Sequence, residues 1–200
     1  MNSYSQHGLE SHAHHLDGML LQVLLPLPFV FMVILYLLAV VMSNRRYTVW
    51  PVYRTCFWIL GSGCALLAVI GPLADRSHTD FSVHMIGHLL LGMLAPLLMV
   101  LAAPMTLFLR TLPVNWARRL TTLLKSRLSA FYTHPILTSL LNMGGLWVLY
   151  TTDVYLAMQH SALLHVLVHL HVFMAGYLFT MSMIYIDPLP HQVSFRYRAW

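Results

Sequence analysis

Charge is what this 200-residue chain has least of. Asp, Glu, Lys and Arg make up 8% of it, while 58% is hydrophobic; soluble domains carry about 25% charged residues. No soluble core of this size could hide so much apolar surface, so the composition excludes a water-soluble domain and indicates an integral membrane protein. Cysteine is also scarce. Cys56 and Cys64 stand eight apart in one apolar segment, which on a helix separates their Cα atoms by about 12 Å, too far for a disulfide. Ser/His/Asp, Cys/His and paired-carboxylate arrangements are missing, as is a glycine-rich loop after a strand, so nothing points to hydrolysis or phosphate binding. Basic patches interleaved with aromatics are missing too, and the net charge of +5 implies no nucleic-acid partner. The N-terminus is polar and His-rich, unlike a cleavable signal; the first apolar segment is expected to remain as a span.

Five apolar segments are long enough to cross a bilayer, near 19–42, 55–73, 81–109, 135–153 and 161–186. Each must be helical, because lipid cannot satisfy open backbone groups. The expected fold is an all-α polytopic helix bundle over 19–200, preceded by a His-rich arm over 1–18. Pro26 and Pro28 are expected to kink or delay the first helix, and Pro96 and Pro104 to break the inner half of the third. Residues 112–131 read as one amphipathic basic helix at the cytoplasmic membrane surface. The basic residues set the orientation. Arg45, Arg46 and Arg54 follow the first span. Arg110, Arg118, Arg119, Lys125 and Arg127 follow the third, and Arg196 and Arg198 follow the fifth. Only Arg76 falls on the other side, which predicts an extracytoplasmic N-terminus. The closing SFRYRAW resembles the start of a further helix, so more spans are expected beyond Trp200.

Against this apolar background the histidines stand out. His84 and His88 open the third segment, and His165 and His169 open the fifth. Both segments enter from the outer face, so each i,i+4 pair lies on one helical face, one and two turns below the surface. Intramembrane ionisable groups are costly and mark function. Two matched pairs at one depth suit a metal ion, and Gly92 and Gly176 lie on the same stripes, where they allow close helix approach. Asp80, four residues before His84, either orients its imidazole or caps the helix with Thr79. Met85 and His171 are lesser ligand candidates, since each points away from its neighbouring pair. In the arm, His7, His12, His14 and His15 form a tract able to gather metal; His78 and His160 lie near the mouth of the site. His134 and His191 are on the opposite side. Imidazole suits zinc and copper, with copper the tighter binder. Haem is less suited, because it needs one histidine from each of two helices across a porphyrin.

The order Pro72-Leu-Ala-Asp75, Phe81-Ser-Val-His84-Met85-x-x-His88, Ala95-Pro96-Leu97-Leu98 and Ala103-Pro104 resembles the CtaG family of multispan assembly factors for caa-type cytochrome c oxidase. The likeness continues through His134-Pro135, Tyr155, Leu164-His165-x-x-x-His169-Leu-x-x-Phe173, Gly176, Phe179, Asp187-Pro188-Leu189-Pro190 and Arg196. Two positions depart: Tyr150 stands where members often carry histidine, and Val168 where they carry an acid. The resemblance implies a role in maturing the oxidase in the bacterial cell membrane, with copper handling for its membrane-embedded centre, oxidase subunits as partners and no enzymatic activity. A haem-bearing electron-transfer cytochrome and a metal-free assembly scaffold are the alternatives.

Overall fold

The computed structural model describes residues 23–70, 73, 76 and 80–187. The N-terminal arm, His78, His191 and the SFRYRAW stretch lie outside the described residues, as does the side chain of His160. Among the described residues the fold is all helix, with no strand.

Helix α1 spans Leu27–Arg46. Val23 and Leu24 are already helical, and a turn at Leu25 and Pro26 separates them from α1, so the prolines interrupt the helix near its start; Pro28 then sits in the first turn of α1, where a missing N–H costs nothing. Arg45 and Arg46 occupy its last turn, which complements the negative end of the helix dipole. Helix α2, Val52–Val69, returns antiparallel. The next run has three parts: α3 (Phe81–Leu89), a π-helical turn (Leu90–Leu94) and α4 (Ala95–Leu101). Then follow α5 (Pro104–Thr111), α6 (Val114–Leu124) and α7 (Arg127–Tyr132). Helices α8 (Pro135–Thr151), α9 (Val154–His160) and α10 (Ala162–Met183) complete the order.

Among the described residues four helices are long and apolar enough to cross a membrane: Leu27–Arg46, Val52–Val69, Ser82–Leu101 and Leu163–Met183. Their outer faces carry exposed Leu67, Leu89, Leu163 and other large apolar side chains, which lipid solvates. The chain is a membrane protein. Helix α8 has 17 residues, at the short end of what a bilayer needs.

Three expectations are corrected. The third span stops at Leu101, not 109. Pro104 disfavours helical backbone at the residue before it, and Ala103 turns left-handed at φ 51°, ψ 57°. The amphipathic segment is two helices, not one. Lys125 ends α6, and the Ser126 hydroxyl caps α7 by accepting from the Ser129 N–H at 3.2 Å. Pro96 does not break its helix. Lacking an N–H, it cannot bond the Gly92 carbonyl four residues back. The ladder widens instead, and the Ala95 N–H reaches five residues back to Leu90 O, as π-bulges do.

The core lies where α1, α2 and the α3–α4 run meet. Tyr36 is fully buried and stacks on Trp58, with centroids 4.5 Å apart and planes 9° apart. Its hydroxyl donates to the Ala102 carbonyl (3.0 Å) and accepts from the Trp50 indole (3.1 Å). The break before Pro104 is held from a second side by Asp187. That buried carboxylate accepts from the Met105 and Thr106 N–H groups (3.1 and 2.8 Å) and the Thr106 hydroxyl (2.7 Å), satisfying open donors at the start of α5.

Candidate metal centre

The site begins with one backbone contact. A Cβ on Gly176 would land on the Gly92 carbonyl, and one on Gly92 would meet Val172 Cγ1 at 2.9 Å. Glycine at 176 therefore lets the α10 backbone lie directly against the π turn. The carbonyl it meets is the one that Pro96 leaves without its α-helical donor, so a Cα–H can approach it. Further along, Val100 packs with Met181. The pairs 92 with 176 and 100 with 181 advance together, so the α3–α4 run and α10 are parallel neighbours.

One to two turns above the glycine contact, this register brings the histidines together. His84 and His88 are both buried, and their Nε2 atoms are 2.9 Å apart. His88 faces His169 across the helix pair, with ring centroids 6.0 Å apart and planes 26° apart. His169 stacks on His165 at 4.4 Å and 5°. The four imidazoles thus form one continuous row from two helices.

The ring nitrogens are partly assigned by chemistry. His169 Nδ1 lies 3.0 Å from the His165 carbonyl oxygen. A carbonyl only accepts, so Nδ1 carries the proton and Nε2 of the neutral ring keeps its lone pair. Between His84 and His88, one Nε2 donates to the other. His88 Nδ1 is then a buried polar atom with no hydrogen-bond partner among the described residues in either tautomer, an arrangement that native interiors rarely tolerate.

The spacing can be compared with that of a metal-binding set. With metal–nitrogen bonds of about 2.0–2.1 Å, tetrahedral ligand nitrogens lie about 3.3 Å apart and their ring centroids roughly 5–6.5 Å apart. The 84–88 nitrogens need to part by a few tenths of an ångström, and the 88–169 centroids already fit. The 165–169 stack must unstack by rotation about its side-chain torsions. Among the described residues no group of three or more His, Cys, Asp or Glu is already gathered in metal-holding geometry.

Other predicted residues are placed differently. Asp80 caps α3, its carboxylate accepting from the Ser82 N–H at 2.8 Å. Met85 is 44% exposed and borders a surface hollow together with Trp147 and Tyr150. His171 is exposed on the far side of α10, its ring against the backbone of Gly145 in α8. His134 caps α8 through the Ile136 N–H at 3.3 Å. Two tyrosines join the row. Tyr155, at the start of α9, has its ring 5.0 Å from His84. Tyr150, at the end of α8, lies 6.4 Å from His84 and 6.1 Å from His88. No helical spacing links either tyrosine to the histidines. In the sequence Tyr155 stands out only as part of the family likeness, and Tyr150 only as a departure from it.

Comparison with known proteins places the chain. Residues 34–200 match the family described as cytochrome c oxidase caa3 assembly factor. Uncharacterized proteins of Mycobacterium bovis and Mycobacterium tuberculosis are each 35% identical over 161 residues, covering 76% of this chain and 24% of the relative. An uncharacterized protein of Mycobacterium leprae is 31% identical over 172 residues, covering 80% of this chain and 25% of its own length. The chain spans about a quarter of the length of these relatives. No solved structure matches it. The family match over five-sixths of the chain, with the paired histidines inside it, makes this protein a member of the CtaG family of cytochrome c oxidase caa3 assembly factors.

Proposed function

We propose that this protein binds copper through His84, His88, His165 and His169 and passes it, as cargo, to an oxidase subunit within the bacterial cell membrane. The observation that carries the reading is the row of imidazoles contributed by two parallel membrane helices, with a buried His88 nitrogen that has no partner among the described residues. Neutral imidazoles suit copper and zinc, and copper binds a given nitrogen site more tightly. A site that must rearrange before it closes suits an ion that is handed on. In this reading α8 is a fifth span, the N-terminus is extracytoplasmic and the histidines lie beneath the outer face. The protein delivers metal and catalyses no reaction. A haem between the same histidines is less well supported, because the Gly92–Gly176 contact below them leaves little width for a porphyrin plate.

Metal analysis of the purified protein tests the reading. Bound copper is expected in the wild type, and its nitrogen-ligated ion is expected to be lost in the His84→Ala, His165→Ala double variant. A Soret band would replace the copper reading with a cytochrome. Neither metal nor pigment, with oxidase maturation intact in the double variant, would leave a metal-free scaffold.

A further inference from the structure

Two small hollows lie beside and below the histidine row and share part of their walls. The first, about 180 Å³, has His169, Met32 and Phe173 among its walls. The second, about 220 Å³, shares Met32 and Phe173 with it. Its wall also includes Met99, Met105, Met174 and Trp58. Thirteen methionines in 200 residues would put fewer than one in a ten-residue wall, and this wall has four. They come from α1, α4, α5 and α10, so no single helical stripe explains the concentration.

We propose that this methionine-lined cavity is a second copper site, taking a cuprous ion from the histidine row through His169. The reading rests on the copper role of the histidines for the source of the ion. Thioethers are soft ligands that select Cu(I) over harder cations. Leucine would line an apolar cavity equally well, but offers no lone pair. Trp58 and Phe173 place aromatic rings in the same wall, where a cation gains from the ring quadrupole. Asp187 sits close behind. Its carboxylate accepts from the Met105 backbone N–H at 3.1 Å and is 4% exposed. An acidic group so near the wall favours a monovalent cation in a low-dielectric interior. The transfer exchanges imidazole nitrogen for thioether sulfur. The ion stays Cu(I), so no electron donor is needed.

Copper X-ray absorption on the full chain in detergent, loaded with two equivalents of Cu(I) under ascorbate, tests this. The expected result is two bound ions with both nitrogen and sulfur in the copper shell. Replacing Met32, Met99, Met105 and Met174 together by leucine, a swap that conserves volume, should remove the sulfur shell and one of the two ions. The His84→Ala, His165→Ala variant should lose the nitrogen-bound ion and keep the sulfur-bound one. A wild-type shell of nitrogen alone would overturn this inference and leave the histidine reading standing. A sulfur shell that persists beside unchanged copper content in the histidine variant would overturn the histidine reading instead. Should the fourfold variant fail to fold, the wild-type spectrum decides alone, and the Met32→Leu, Met174→Leu pair should still halve the sulfur contribution.

Discussion

Gly176→Ala is the most direct test of how the fold sets the site. The new methyl would strike the Gly92 carbonyl oxygen and sit 2.8 Å from its carbon. The obstacle is backbone, so no side chain can swing aside. The helices must part. Overpacking of this kind costs about 1–3 kcal/mol, and losing the Cα–H contact adds about 0.5–1 kcal/mol. Alanine's better helix propensity returns at most about 1 kcal/mol, so the net loss is expected at about 1–3 kcal/mol. Gly92 lies four residues, about 6 Å along the axis, below His88. A displacement of α10 there carries His169 away from His88. Copper affinity is expected to fall at least tenfold, equivalent to about 1.4 kcal/mol. Thermal unfolding in detergent and copper competition against a chelator measure the two effects. Gly63→Ala is the control, because its Cβ would meet nothing within 4 Å, and it should bind copper as wild type does. If Gly176→Ala keeps wild-type stability and affinity, the glycine contact does not set the spacing of the histidines.

Three further outcomes follow from the same geometry. Asp187→Ala removes the acceptor for two backbone N–H groups and the Thr106 hydroxyl; it should cost about 1–2 kcal/mol in thermal unfolding, as lost helix caps do. Tyr36→Phe deletes the hydroxyl between the Ala102 carbonyl and the Trp50 indole, leaving both buried and unpaired. A loss of about 1–3 kcal/mol is expected, with copper content unchanged. Tyr150→His sets a fifth imidazole where a ring already lies 6.1 Å from His88, and chelator competition should show copper held severalfold more tightly.

Much of this architecture was legible in order and composition. Helix was the only option for apolar runs with so little charge, since the bilayer offers their backbone no partner. The i,i+4 spacing put each histidine pair on one face, because helical geometry is local. Asp80 and the start of α1 were likewise readable from short-range rules. The exceptions were local rules that had competitors. Pro96 was expected to break its helix, but a π turn absorbed the missing donor at small cost. The single basic amphipathic helix divided at Ser126, where a side-chain cap outweighed continued periodicity.

What the chain alone determined, then, was the membrane class, the helices and the two imidazole pairs, since each follows from contacts within a few residues. Only tertiary structure decided that the α3–α4 run and α10 lie parallel in the register that seats Gly176 on Gly92 and His169 opposite His88. It also decided that His171 turns to Gly145, that Tyr150 and Tyr155 join the row, and that four methionines from separate helices share one cavity. Those placements depend on how whole helices rotate and slide against each other, and that balance is set by packing across the bundle, which no local pattern encodes.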